Sequence, residues 1–184
     1  MLGHEFPTIL RAAQRGDGRA LERLWEDLAP MVSGYLRLQG ACDPDDLTSE
    51  VFIGVFRGIG SFQGTERQLR AWVLVIAHRR LMDQRRMNGR LPRVVDDPGD
   101  ALERLPGGDG EADAMAAIST SEVRRLLSVL SDDQVAVLSL RILGDLTIEQ
   151  IAVVLGKRPG AVKALQRRGL HRLRNELSQR GVSL

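Results

Sequence analysis

A single cysteine, Cys42, stands among the 184 residues, which rules out an intrachain disulfide and a zinc site built on cysteines. Aromatic residues are scarce at 4%, and with Ala, Leu, Arg and Val dominant the composition favours helices packed on helices over sheets. No alternating apolar–polar run extends beyond four residues, and there is no internal repeat or low-complexity tract. No apolar run approaches the roughly 20 residues of a membrane span, and the N-terminus lacks the basic-then-apolar pattern of a signal peptide. The expectation is a cytoplasmic protein without membrane insertion. His4, His78 and His171 lie far apart in the sequence and have no ligand spacing, so no metal site is expected. The clustered His and Asp of a metal-dependent hydrolase are missing as well, so neither a catalytic residue nor a cofactor is expected.

What is present is ordinary apolar content, 43%, and an uneven distribution of charge. The formal net charge is +2, but residues 1–66 carry six cations against ten acids, and residues 67–93 carry eight cations against one acid. Residues 94–121 hold one cation and seven acids, whereas 122–184 return to eleven cations against six acids. A solvated helical surface normally mixes the signs. Two basic blocks separated by an acidic one point to a polyanion touched at two places.

Apolar periodicity organises the chain into helices. Residues 6–38 read as helical with a pause at Gly16-Asp17-Gly18; Leu21, Leu24, Trp25, Leu28, Val32, Tyr35 and Leu36 then recur at three- and four-residue steps. Asp43-Pro44-Asp45-Asp46 suits the start of a second helix, with Asp43 at the N-cap, proline in the first turn and acids at the positive end of the helix dipole. It runs to about Gly58, with Leu47, Val51, Phe52, Val55 and Phe56 on one side. After the break GIGSFQGT, a third helix over about 67–87 turns Leu69, Trp72, Val73, Ile76, Ala77 and Leu81 inward and carries Arg79, Arg80, Arg85 and Arg86 on its other face. From 88 to 117, Pro, Gly and Asp are dense and the periodicity fades: a flexible acidic linker, with room for a short helical turn near 100–105. Beyond it, Ser131-Asp-Asp-Gln134 and Thr147-Ile-Glu-Gln150 read as capping boxes. The fold class is all-α: two small helical domains, 1–90 and 119–184, joined by the linker 91–118.

The stretch TIEQIAVVLGKRPGAVKALQRRGLHRLR, 147–174, breaks one helical pattern and starts another. Gly156 suits the left-handed C-cap, and Pro159 cannot continue a helix but can begin one. GKRPG is then the turn of a helix-turn-helix. Between 156 and 174 there are seven cations and no acid. Cations in the turn and along a recognition helix neutralise phosphates and displace counterions, while the N-terminal end of the helix reaches base edges in the major groove. A plain helical hairpin with a solvated basic face explains the turn as well, but not the absence of acids.

With these residues in place, the chain resembles a bacterial sigma factor of the extracytoplasmic-function (ECF) type. DPDDLTSEVFIGVFRGIGSF and LRAWVLVIAHRRLMDQRR resemble region 2 of that family; LSDDQVAVLSLRILGDLTIEQIAVVLGKRPGAVKALQRRGLHRLR resembles region 4. The resemblance implies a subunit that binds core RNA polymerase and directs promoter-specific initiation. Region 2 would grip the clamp helices of the largest subunit and read the −10 element; region 4 would bind the flap of the second-largest subunit and read the −35 element. An anti-sigma factor is a further partner that the family implies. Asp46, Leu47, Glu50, Val51 and Phe52 match the family's polymerase-binding pattern, with Ser49 where Gln is usual; ordinary core packing is the competing role for the apolar members. SFQGTERQ, 61–68, matches the loop that holds an unstacked base, where Phe62 either lines a pocket or packs in the core. Arg67, Arg70, Arg79, Arg80, Arg85 and Arg86 are the −10 contacts implied, with Arg79 departing from the common Asn. Asp83 is expected to pair with a neighbouring Arg. For −35, the set is Lys157, Arg158, Pro159, Gly160, Lys163, Arg167 and Arg168; Leu165 stands where many relatives carry Arg.

Three other readings compete. A regulator acting without polymerase would use the same helix-turn-helix and dimerise on a palindrome, but no dimer helix is evident. An adaptor would leave both basic blocks unused. An enzyme would need the side-chain cluster that the sequence lacks.

Overall fold

Helix starts in this chain are set by side chains that satisfy otherwise orphaned backbone N–H groups. The computed structural model describes residues 2–89, 123 and 126–180, and among these it holds seven α-helices and no strand. A single 3₁₀ turn, Gly3–Glu5, leads into α1 (Phe6–Gln14) and α2 (Gly18–Leu38); Asp17 caps α2 by accepting from the Ala20 N–H at 2.8 Å. Asp43 caps α3 (Pro44–Gly58) in the same way from the Asp46 N–H at 2.9 Å. Each such cap is worth about 1 kcal/mol. After a 3₁₀ turn, Ile59–Ser61, comes α4 (Glu66–Asn88), opened by a Thr65–Gln68 capping box that the sequence reading missed inside its loop. The C-terminal block holds α5 (Asp132–Ile142), α6 (Ile148–Leu155) and α7 (Pro159–Gln179). Both expected boxes are formed there, the Ser131 N–H donating to Gln134 Oε1 at 3.1 Å and the Thr147 N–H to Gln150 Oε1 at 2.9 Å. The expected linker and its helical turn at 100–105 lie outside the described residues.

In the N-terminal block, α2, α3 and α4 interdigitate around Leu24, Leu28, Val32, Leu36, Val51, Phe52, Val55, Leu69, Val73 and Leu81, all of them buried. Trp25, expected on the inward face, is 37% exposed and lies on Phe52 with ring centroids 4.4 Å apart. In the C-terminal block Leu138, Leu140, Leu146, Ile151, Ala152, Val154 and Val162 form the interior. Gly169 rather than Leu170 faces inward, because a side-chain carbon there would meet Leu138 at 3.2 Å while Leu170 is exposed.

The two blocks are not held apart. Leu74 of α4 is fully buried, and the C-terminal block approaches it so closely that a Cβ on Gly144 would stand 2.6 Å from its Cδ1. One apolar cluster runs from Leu2 to Val162 across both blocks. The cause is local: AWVLVIAH, 71–78, is apolar nearly all round, and a helix apolar on every side is covered on more than one. The helices α2 and α3 cover one flank of α4, and α6 covers another.

Candidate nucleic-acid and protein interfaces

The recognition helix is built as the sequence dictates. Gly156 takes φ +62°, ψ 31°, a left-handed conformation that costs glycine little, and this turns the chain out of α6. Pro159 then occupies the first turn of α7, where its missing N–H would have no partner anyway. Arg158, Pro159, Gly160, Lys163, Arg167 and Arg168 are all exposed. Among the described residues, Arg158, Lys163, Arg167 and Arg168 form no salt bridge. Arg167, Arg168, His171 and Arg172 line a shallow hollow on this helix, and Arg172 is steadied by Gln134 Oε1 at 3.2 Å. Lys157 differs from the rest of its set: it is half-buried and paired with Asp133 at 2.9 Å. Leu165 is half-buried and packs against the core.

The α4 arginines have another fate. Arg79 and Arg80 are exposed. Arg67 is bound to Asp145 of the C-terminal block at 2.8 Å, and Arg85 approaches Asp132 at 3.6 Å while also donating to the Gln39 carbonyl. Asp145 holds this position with φ 50°, an uncommon conformation for a residue with a side chain. Arg86 pairs with Asp83 at 2.6 Å, the partnership expected for that acid. Arg70, expected on the exposed face, is buried, 3.5 Å from Asp27, and donates to the Leu143 carbonyl at 3.2 Å. An arginine on a charged helix face reads as a surface residue, and its partners lie 43 and 73 positions away.

Beside this seam, the Tyr35 hydroxyl lies 2.8 Å from His78 Nδ1. Burial pushes the Tyr35 phenol up. Burial also pushes His78 below its usual value; the neighbouring Arg85 and Lys157 push the same way, and Asp133 opposes them. A neutral imidazole accepting from the phenol fits this balance.

Phe62 is half-buried against Trp72, ring centroids 5.4 Å apart, so that it serves packing and still reaches the surface of its loop. On α3, Asp46, Ser49 and Glu50 are exposed, as a protein-contact face requires, and the Ser49 hydroxyl donates to the Asp45 carbonyl at 3.1 Å. Leu47 and Phe52 take the competing role of core packing in this fold, at 4% and 1% exposure, on the opposite, inward stripe of the same helix. Ile53 was missed. It lies half exposed at helical spacing from Asp46, Ser49 and Glu50, and the signal was an isoleucine out of phase with the buried stripe. An open groove between α2 and α3, lined by Trp25, Ala29, Pro30, Ser33, Thr48 and Ser49, borders the same face.

Among the described residues, no group of three His, Cys, Asp or Glu side chains is placed to hold a metal, and no helix is long and apolar enough to cross a membrane.

Comparison with known proteins agrees with this arrangement. The model of sigma-70 region 2 matches residues 24–91, and that of sigma-70 region 4 matches 126–175. The ECF RNA polymerase sigma factor BldN of Streptomyces coelicolor is 31% identical over 170 residues, covering 90% of this chain; the match spans 63% of BldN's own length. The ECF sigma factor SigD of Mycobacterium tuberculosis is 28% identical over 189 residues, covering 98% of this chain and 88% of SigD. The solved structure of CnrH in complex with the cytosolic domain of CnrY shares the fold at TM-score 0.64 and 20% identity, covering 94% of this chain and 96% of CnrH. With both regions matched in order and relatives of one kind across the chain, this protein belongs to the sigma-70 family as a member of its ECF type.

Proposed function

We propose that this chain binds core RNA polymerase and directs promoter-specific initiation, with residues 1–90 as the −10-reading and polymerase-gripping part, 91–118 as a linker, and 119–184 as the −35-reading part. The observation that carries the proposal is the helix-turn-helix of α6 and α7, whose leading end presents exposed cations that form no salt bridge among the described residues, joined in one chain to a second helix rich in arginine. Arg158, Gly160, Lys163, Arg167 and Arg168 face the −35 duplex. Lys157 joins them once its Asp133 partner yields. Phe62, Arg79, Arg80 and Arg86 serve the −10 element from the surface of α4 and its leading loop. Arg67, Arg70 and Arg85 are held against the C-terminal block here, so their use on DNA requires the two blocks to part. Asp46, Ser49 and Glu50, with Ile53, meet the clamp helices of the largest subunit; the C-terminal block meets the flap of the second-largest. The chain acts in the cytoplasm as a specificity subunit without a catalytic site of its own, and an anti-sigma factor is the further partner proposed from the family.

Gel filtration of the chain with and without core polymerase tests this reading. Co-elution with core polymerase at one chain per enzyme is expected. A chain that ignores the polymerase and binds a palindromic operator as a symmetric pair would replace this reading with that of an independent regulator.

A further inference from the structure

The loop between α3 and α4 is held from outside region 2. Gln14, the last residue of α1, lies ahead of the segment that matches the region 2 model, 24–91. Its Nε2 donates to the Phe62 carbonyl at 2.7 Å and lies 3.3 Å from the Ile59 carbonyl. The two carbonyls bracket the 3₁₀ turn that delivers Phe62, so one side-chain amide clamps both ends of that turn. The far side of the loop is fixed by Gln68, whose Oε1 accepts from the Thr65 N–H at 2.8 Å. A third tie runs the other way: Glu66, in the first turn of α4, accepts from the N–H groups of Leu2 and Gly3 at 2.8 and 3.0 Å. Leu2, Phe6, Leu10 and Ala13 are buried, so α1 is seated by packing and carries Gln14 on a rigid support. Between these ties, Gln63, Gly64 and Thr65 are exposed.

We infer that Gln14 is a positioning residue for −10 recognition: by clamping the Ile59 and Phe62 carbonyls it holds the loop and the Phe62 ring in the geometry that receives an unstacked base. This rests on the −10 role proposed above for the loop. Unstacking a base costs binding free energy, which only a pocket already in place repays. Gln14 touches no nucleotide; it acts through the backbone of Phe62.

The test uses the full chain bound to core polymerase, with a single-stranded probe covering the non-template −10 element of a promoter found by mapping transcript 5′ ends after overexpression. Each base of the probe is removed in turn, leaving an abasic site, and the loss of affinity is recorded position by position. With the natural chain, one or two positions show a loss of about tenfold. Gln14→Met has the same reach and no donor, and it is expected to shrink the loss at those positions to about threefold or less. Gln14→Lys keeps a donor and is expected to restore most of the profile. Affinity for duplex −35 DNA should be unchanged in both variants, which a misfolded chain would not allow. If Gln14→Met keeps the natural profile while Phe62→Ala flattens it, the loop reading stands and the role of Gln14 is overturned. If Phe62→Ala also keeps the natural profile, the loop receives no base and both fall together. Equal losses for Gln14→Met at every position, or an unrestored profile in Gln14→Lys, would mark Gln14 as merely structural and overturn the proposal.

Discussion

The helices α4 and α7 are both long and rich in arginine, yet they hold their charges in opposite ways. On α7, Arg158 at the N-cap and Lys163, Arg167 and Arg168 along the helix stand in solvent and form no salt bridge among the described residues. On α4, Arg67, Arg70, Arg85 and Arg86 are each tied to a carboxylate, a carbonyl or both, and three of them reach the C-terminal block. The difference follows from what surrounds each helix. One side of α7 packs on α5 and α6 and the other is open; α4 is covered on more than one flank, so several of its arginines meet protein partners while Arg79 and Arg80 stay exposed. A free cation releases counterions on touching DNA, whereas a paired one first gives up its partner. On the proposed function, the −35 surface is ready-made and the −10 surface partly occupied.

The strongest way to break this contrast is Arg70→Met. Arg70 and Asp27 are about 10% exposed, and removing one member of a buried, hydrogen-bonded pair costs about 3 kcal/mol. Chemical denaturation should show that loss, whereas Arg79→Met, on the exposed face, should leave stability within about 0.5 kcal/mol. Next in size is the triple change Lys163→Ala, Arg167→Ala, Arg168→Ala. Affinity for a −35 duplex is expected to fall on the order of a hundredfold, and the slope of log K against log salt to fall by about three, one for each phosphate no longer neutralised. Unchanged binding would dismiss α7 as the reading helix.

These two predictions divide along what was legible in the sequence. Caps, turn and period announce α7 and its exposed cations, because Gly156, Pro159 and the Thr147–Gln150 box act within a few residues of themselves. The start of α3 at Asp43 was legible for the same reason. Arg70 was not, since its burial depends on Asp27 and Leu143, which no local pattern joins to it. Leu74, fully buried, was equally hidden: it is absent from the inward residues expected of α4. Its clue was the ring of apolar residues over 71–78, which a search for one buried stripe passes over. The capping box at Thr65 was concealed by the turn residues just before it.

A smaller effect sharpens the contrast from the seam itself. Asp145→Asn with Asp132→Asn releases Arg67 and Arg85 from exposed pairs, each worth a few tenths to about 1 kcal/mol. Affinity for single-stranded −10 DNA should rise by about two- to fivefold in low salt, with the gain fading as salt screens the pairs. The smallest effect is expected at His78. Its pKa is lowered in the fold, so the unfolded chain binds the proton more tightly, and stability is complete above the ordinary histidine range and declines as pH falls below about 6.5. Thermal melting from pH 7.5 to 5.5 should show a steeper decline in the natural chain than in His78→Gln; equal slopes would remove His78 as the cause.

Run-off transcription from a mapped promoter tests the central claim most directly, with core polymerase supplied alone, with the natural chain, and with the chain carrying the three α7 alanines. The account predicts no promoter-specific transcript from core polymerase alone, a defined transcript with the natural chain, and a greatly reduced one with the variant. A transcript of equal strength and start in all three reactions would contradict it.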